Sequence, residues 1–267
     1  MDRHYFLLRR LHSLSGVVPI GVFLIPHLTT NSSIVWGQIF GRSHYGPDGH
    51  AGVETFQHEV NFIHSLPFLV LIEIFVLWLP IAFHAGLGVY YAMTGRSNLQ
   101  RYAYQDNWRY TLQRLTGYIG IVYIFLHISS LRWHWTYGGL LPTFDAQYAS
   151  STTAEHFQAG GVVRQSAVIG LYVVGVLALV FHFANGLWTA AITWGVTITE
   201  KAQERWGYVC AAIGAGLAAA GLAAIFGFAT VDIDKARLVE ERMLAGEVTP
   251  DEEAPGHGIG EAADDEQ

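Results

Sequence analysis

Four histidines lie inside apolar segments of helical length, and their spacing groups them into two pairs. His27 and His127 are 100 residues apart, and His84 and His182 are 98 residues apart. An imidazole inside a bilayer is costly unless its nitrogens have partners, and a haem iron can accept one imidazole on each face. The four residues therefore predict two bis-histidine haems, stacked across a membrane.

The composition of the chain supports a membrane protein independently of the histidines. The 267 residues are 51% hydrophobic and only 14% charged, against about 25% charged in an ordinary soluble domain. A spanning helix needs roughly 20 apolar residues, and helices satisfy their own backbone groups in hydrocarbon. Five segments meet this requirement: about 11–37, 61–94, 111–131, 166–199 and 207–231.

Each of the first four segments carries one of these histidines, and the fifth carries none. We therefore predict an all-α integral membrane protein with a four-helix haem-binding core and one accessory helix, over residues 1–232. Residues 233–267 are acidic and predict a disordered C-terminal tail, which accounts for the net charge of −7. Nothing in the sequence resembles a nucleic-acid-binding surface.

The first two spans resemble the next two, as expected after an internal duplication. Gly16 precedes His27 by eleven residues in span one, and Gly117 precedes His127 by ten in span three. The ligand candidates of spans two and four both follow a phenylalanine. Glycines near the histidines are expected to let a flat macrocycle approach the helix backbone.

The distribution of Lys and Arg predicts the orientation. Nine lie at the N-terminus or in the loops after spans two and four, and six lie on the other side. The positive-inside rule then places the N-terminus in the cytoplasm and the C-terminus outside. His27 and His127 fall toward the outer side and are predicted to hold an outer haem. His84 and His182 fall toward the inner side and are predicted to hold an inner one.

Further polar residues near the span ends are candidates for cofactor contacts. Haem propionates need donors, and the inner ends of spans one and three supply Arg10, Ser13, Ser15 and Arg114. Arginines at these positions also fit a role as simple interface anchors.

A quinone site is expected near the outer end of span two, because reduction of a quinone needs donors and a proton supply. The candidates there are His64, Ser65 and the intramembrane acid Glu73. The alternative for Glu73 is a buried acid that only orients a neighbouring helix.

Several short stretches between residues 5 and 228 match a known family. They are 9–14 (RRLHSL), 23–28 (FLIPHL), 65–68 (SLPF), 73–75 (EIF), 84–85 (HA), 107–108 (NW), 112–114 (LQR), 181–183 (FHF), 185–188 (NGLW) and 193–195 (TWG). With them the chain resembles the cytochrome b558 membrane anchor of succinate:quinone oxidoreductase, the five-helix di-haem type of menaquinone-using bacteria. In that family the four matching histidines are the axial ligands of two b haems, in the pairing predicted above.

The resemblance implies a subunit of succinate dehydrogenase, the complex II of the electron-transport chain and the tricarboxylic acid cycle. The chain would anchor a flavoprotein subunit with FAD and an iron–sulfur subunit on the cytoplasmic face of the bacterial inner membrane. Electrons would pass through the inner and outer haems to menaquinone. The chain has one cysteine, Cys210, and therefore cannot hold a cysteine-ligated cluster alone. It is expected to contribute no catalytic residue for succinate.

Two alternatives remain. A menaquinol:fumarate reductase anchor has the same architecture and runs in the reverse direction. A haem-free membrane protein would use the four histidines as polar contacts between helices. The family resemblance favours the succinate-oxidising anchor over both.

Overall fold

The computed structural model describes residues 3–45, 49–94 and 105–247, and these ranges contain helices and no strand. Two short π-helical turns, Gly16–Gly21 and Glu73–Trp78, interrupt the first two spans. The α-helices are α1 Arg3–Ser15, α2 Val22–Phe40, α3 Ala51–Ser65, α4 Leu69–Ile72, α5 Leu79–Thr94, α6 Gln105–Leu131, α7 Ala149–Gln158, α8 Gly161–Thr193, α9 Glu200–Thr230 and α10 Ile233–Ala245. The predicted all-α class is confirmed.

Five helical stretches in the described ranges are long and apolar enough to cross a membrane. The first combines α1, the π-turn and α2, and the second combines α4, the π-turn and α5. Their bounds are His4–Phe40, Leu69–Thr94, Trp108–Leu131, Gly161–Thr193 and Glu200–Thr230. The number of predicted spans is therefore confirmed, and the chain is a multi-pass membrane protein.

The boundaries of spans two and four differ from the prediction. Span two begins at Leu69 rather than near residue 61, because the chain turns at Leu66-Pro67-Phe68, where Phe68 adopts a left-handed conformation with φ of 58°. Proline lacks an amide hydrogen and restricts the residue before it, so the apolar run cannot continue as one helix. Span four ends at Thr193, since a turn at Trp194 and Gly195 follows.

The π-turn in span one has a local cause. Pro19 lies in its middle and has no amide hydrogen to donate to the carbonyl of Ser15, four residues earlier. The helix therefore rewinds over Gly16–Gly21 instead of continuing in α-helical register. Single π-turns of this kind are frequent at functional sites.

The four histidine-bearing spans form a ring in chain order. Span one packs on span two, span two on span three, span three on span four, and span four on the α1 end of span one. The fifth span, α9, lies outside this ring against α8 and α2. This arrangement is the four-helix core with an accessory helix, although α9 packs more extensively than a peripheral helix would.

Three helices outside the spans pack together at one end of the bundle, and we call them the cap. They are α3, α7 and α10, which contact one another and the ends of α2 and α9. Many of the most buried side chains lie there, among them Val53, Gln57 and Val239. The sequence treated these segments as connections and tail, so the cap was not predicted.

Helix α10 corrects part of the predicted disordered tail. Its first turn is capped by Asp232, whose carboxylate accepts from the Lys235 amide at 3.1 Å, and Gly246 ends it with φ of 70°. Ala236 and Val239 are fully buried on one face. The high charge of this segment concealed an amphipathic helix, since its charged residues, apart from the buried Glu240, lie on its other faces. Residues 248–267 lie outside the described residues.

The carboxyl group of Glu240 links α10 to α7. It is completely buried and accepts hydrogen bonds from the Ser150 amide at 2.6 Å and the Ser151 amide at 3.1 Å, while the Ser151 hydroxyl donates at 2.5 Å. These two amides lie in the first turn of α7 and have no acceptor within that helix. The Glu240 carboxyl therefore acts as a helix cap supplied from another helix. Burial raises the pKa of the Glu240 carboxyl, and the bonds from Ser151 and Ser150 oppose that rise.

Candidate functional site

The four intramembrane histidines meet in the two predicted pairs. The ring centroids of His27 and His127 are 5.8 Å apart, with the ring planes at 84°. Those of His84 and His182 are 6.0 Å apart, with the planes at 85°. The pairs that depth suggested are therefore neighbours in space, and their role as haem ligands stays a prediction.

Each pair lies on helices that face each other diagonally across the ring of spans. Among the described helices, α2 and α6 do not pack closely on each other, and neither do α5 and α8. The paired side chains thus reach into the centre of the bundle from opposite sides. A bundle interior with side chains projecting from facing helices is a common architecture for cofactor sites.

The inner pair is held by two backbone carbonyls. The Nδ1 atom of His84 lies 2.9 Å from the carbonyl oxygen of His12, and that of His182 lies 2.9 Å from the carbonyl oxygen of Gln113. Each Nδ1 therefore carries the proton and donates it, which leaves Nε2 as a lone-pair nitrogen. No hydrogen bond within the described part of the chain uses either Nε2.

Two glycines allow these rings to approach the helices of spans one and three. A Cβ atom at Gly16 would overlap the His84 ring, and one at Gly117 would lie 3.0 Å from Cε1 of His182. In both spans the accepting carbonyl belongs to the residue four positions before the glycine. The repeat seen in the sequence is therefore also a repeat of the glycine, carbonyl and histidine arrangement in the structure. These glycines accommodate the histidine rings, however, whereas the sequence assigned them to a macrocycle.

The outer pair has side-chain partners instead. The ring of His27 stacks on Phe23 at 5.1 Å, and the ring of His127 stacks on Tyr123 at 5.7 Å. The Nδ1 atom of His127 lies 3.4 Å from the hydroxyl of Tyr172 on α8. Tyr172 could not be identified from the sequence, because it lies ten residues from the nearest ligand candidate and only helix packing brings it to His127.

The candidate propionate contacts lie at the predicted inner ends of the spans, and their side chains differ in their partners. Arg10 has a buried Nε with no partner in the described ranges, and its guanidinium lies over the Phe6 ring at 4.3 Å. The Nε2 atom of the neighbouring His12 is also buried and unpaired there. Of these two nitrogens, the permanently protonated Nε of Arg10 suits an anionic group.

The other three candidates are less directly placed. The Ser15 hydroxyl donates to the His12 carbonyl at 2.9 Å and lies 3.4 Å from Nδ1 of His84, so it supports the histidine ring. The Arg114 guanidinium lies over the ring of Tyr110 at 4.2 Å and also bonds to its hydroxyl. Ser13 is half-buried and makes no side-chain hydrogen bond among the described residues.

The quinone candidates are only partly brought together. Glu73 begins the second π-turn and forms a two-point ion pair with Arg132, with both N–O distances at 3.0 Å. This bond raises the pKa of the Arg132 guanidinium. His64 and Ser65 end α3 on the exposed surface, and no hydrogen bond within the described residues joins them to Glu73.

Arg132 and the aromatic residues beside it were not singled out from the sequence. Trp133 lies 5.1 Å from Trp78, 6.2 Å from Phe125 and 5.6 Å from Trp135, measured between ring centroids. Tryptophans at the end of a span are typical of the membrane–water interface. The sequence signal was available for two of them, since Trp133 and Trp135 flank His134 directly after Arg132, at the end of predicted span three.

The fold and the site together define a class: a five-span helical membrane protein with two facing pairs of intramembrane histidines. The chain is 38% identical over 223 residues to the succinate dehydrogenase cytochrome b558 subunit of Bacillus subtilis (strain 168), and the match covers 84% of this chain and 96% of that relative. No protein-family model matches the chain. The chain belongs to the family of succinate dehydrogenase cytochrome b558 subunits. It is a non-catalytic membrane subunit of complex II.

Proposed function

We propose that this subunit is the di-haem cytochrome b anchor of a succinate:menaquinone oxidoreductase. The observation that carries the proposal is that two pairs of imidazole rings meet inside the bundle, each from diagonally opposite spans. The name of the Bacillus subtilis relative, a cytochrome b558 subunit, supports haem b as the cofactor. The two pairs would place one haem toward each side of the membrane.

The spacing of the rings fits a metal ion between them. A bond from an imidazole nitrogen to a metal is about 2 Å long, so two rings whose centroids lie roughly 6 Å apart are close enough to hold one ion together. The observed separations are 5.8 Å and 6.0 Å. The unpaired Nε of Arg10 is a suitable donor for a propionate of the inner haem.

The bound haems would supply one-electron redox chemistry, and the residues of the chain set its conditions. His84 and His182 keep their Nε2 atoms free by donating from Nδ1 to backbone carbonyls. Such bonds fix the tautomer and orientation of a ligating histidine and raise its basicity. The apolar spans around the pairs exclude water, which also influences a haem potential.

The partner subunits and the orientation follow from the family and from the charges. We infer that the flavoprotein and iron–sulfur subunits, with FAD and iron–sulfur clusters, bind on the cytoplasmic face. The excess of Lys and Arg at the N-terminal side supports this placement. The N-terminus then lies inside, and the C-terminus and the cap lie outside the bacterial cytoplasmic membrane. Menaquinone would react near the outer haem.

Haem content tests the proposal directly. We expect the purified complex to contain two b-type haems per copy of this chain, measured as the pyridine haemochrome together with the dithionite-reduced spectrum. One haem would show that a single histidine pair is structural. No haem, in a preparation whose flavin and iron–sulfur content is intact, would contradict the electron-transfer function and favour the haem-free alternative.

The role of Glu73 can be tested separately. If its carboxylate supplies the proton to the outer quinone, Glu73→Gln should lower succinate:menaquinone turnover by roughly 100-fold, within the usual range for a lost acid–base group. Both haems should remain, and succinate oxidation with a dye that accepts electrons before the haems should be unchanged.

Glu59→Gln is the matched control, because Glu59 is a carboxylate on α3 that accepts a hydrogen bond from Thr30 at 2.8 Å and is not paired with Arg132 in the described residues. It should retain most of its quinone turnover. Unchanged turnover in Glu73→Gln would show that the ion pair with Arg132 only joins spans two and three.

A further inference from the structure

A chain of polar side chains runs from the outer histidine pair to the cap. The Tyr172 hydroxyl lies 3.4 Å from Nδ1 of His127 and 3.3 Å from Nε2 of His156. His127 is on α6, Tyr172 on α8 and His156 on α7, so three helices contribute one residue each. In the part of the protein that the structure describes, the Nδ1 atoms of the inner pair lie 2.9 Å from backbone carbonyls instead, and the Ser15 hydroxyl lies 3.4 Å from the Nδ1 atom of His84.

Tyr172 and His156 are both buried and tightly packed. Tyr172 is 6% exposed and His156 is 2% exposed. The ring of Phe157 lies 4.7 Å from that of Tyr172, and the ring of Tyr123 lies 5.4 Å from it. Buried polar groups in a low-dielectric surrounding keep their hydrogen bonds, because breaking them leaves a donor or acceptor unpaired. The packing around Tyr172 and His156 therefore fixes the geometry of their hydrogen bonds.

His156 is in the neutral state that it needs to accept a hydrogen bond from Tyr172. Burial, with the nearby Arg164 charge, lowers the pKa of His156 to about 4, so the ring is neutral at neutral pH. Its Nδ1 is buried and has no partner in the described ranges, whereas its Nε2 faces Tyr172. With the proton on Nδ1, the Nε2 lone pair accepts from the tyrosine hydroxyl.

The direction of the bonds follows once Nε2 of His127 is a metal ligand. Its Nδ1 then carries the proton and donates to the oxygen of Tyr172. The Tyr172 hydroxyl in turn donates to Nε2 of His156. A hydrogen bond from the second nitrogen of a ligating imidazole makes the ligand a better donor and fixes its ring plane.

We propose that Tyr172 and His156 are positioning residues of the outer haem, which set the orientation and donor strength of His127. This inference rests on the proposed function. A histidine that donates more electron density stabilises the oxidised iron. The hydrogen bonds through Tyr172 and His156 would therefore lower the reduction potential of the outer haem. The inner haem is expected to be insensitive to both residues, because its ligands use backbone carbonyls instead.

The test is a potentiometric haem titration of the intact complex with Tyr172→Phe. The component that belongs to the outer haem is identified first, as the one missing in His127→Ala. In Tyr172→Phe we expect two haems, an upward shift of the outer midpoint and an unchanged inner midpoint. Two haems with both midpoints unchanged would overturn the proposal. Tyr123→Phe is the matched control, since its ring also stacks on His127. It should leave both midpoints in place.

Substitutions at His156 give a second, independent measurement outside the spans. His156→Phe removes the acceptor for Tyr172 and should shift the same midpoint upward, by less than Tyr172→Phe. His156→Gln retains an acceptor and should restore a value close to the wild type. If Tyr172→Phe loses its outer haem, His156→Phe decides: a shifted outer midpoint supports the proposal, and an unchanged one overturns it. Failure of the proposed function would appear earlier, as a wild-type complex without two haems.

Discussion

Alanine at Gly16 is expected to remove the inner haem and leave the outer haem bound. The added Cβ would occupy the position of the His84 ring, and the ring cannot retreat without breaking its Nδ1 bond to the His12 carbonyl. Overpacked sites of this kind force side chains out of their preferred rotamers. The pyridine haemochrome should fall from two haems per chain to one, as it should in His84→Ala, where the ligand itself is missing.

The same change at Gly117 should act more weakly. A Cβ there would lie 3.0 Å from His182 Cε1, a distance that a shift of a few tenths of an ångström relieves. We expect partial inner-haem occupancy in Gly117→Ala. Gly170→Ala on α8 is the control, because no atom lies within 4 Å of its added Cβ. A full complement of two haems in Gly16→Ala would show that His84 does not need its observed position to bind haem.

The histidine pairs could be predicted because the depth of each histidine can be read from its position along the sequence. The depth of a residue in a span follows from its distance to the flanking charges, and parallel spans place equal depths side by side. The segregation of charges gave the number of spans for the same reason. Where a proline interrupts an apolar run, as at Pro67, hydropathy alone misplaced the beginning of the helix.

The partners of the histidines could not be predicted in this way. The carbonyls of His12 and Gln113 become acceptors only because α5 and α8 lie against spans one and three. Tyr172 reaches His127 from the neighbouring helix α8, and nothing in the sequence spacing marks it. The repeated glycine was visible in sequence, yet its function depends on which ring approaches it.

The cap was missed because its segments are polar by composition. Gln57 on α3 is buried, accepts from the Ala149 amide at 2.9 Å and donates to the Ala146 carbonyl at 2.8 Å. Residues of this type are mostly exposed, so their burial becomes visible only when their partners are known. Apolar positions spaced for a helix in residues 233–245 were the one available signal, and the acidic composition outweighed it.

Removal of α10 is expected to destabilise the outer end of the complex strongly. A chain that ends after Val231 loses Glu240, which leaves the Ser150 and Ser151 amides of α7 without their acceptor. Water can reach these amides once α10 is gone, so each lost bond costs its net contribution of about 0.5–1.5 kcal/mol, or roughly 1–3 kcal/mol for the two. The apolar face of Ala236 and Val239 is lost as well. Thermal release of haem should occur at a lower temperature than in the wild type.

A chain that ends after Glu247 separates the helix from the acidic residues beyond it. It retains α10 and the Glu240 bonds, so its haem release should match that of the full-length complex. Glu240→Gln should fall between the two truncations, because the amide oxygen still accepts while the second oxygen is replaced by a donor facing the Ser151 hydroxyl. Because α7 carries His156, loss of α10 should weaken retention of the outer haem before the inner one. Equal stability of both truncated chains would show that α10 is not needed to hold the cap together.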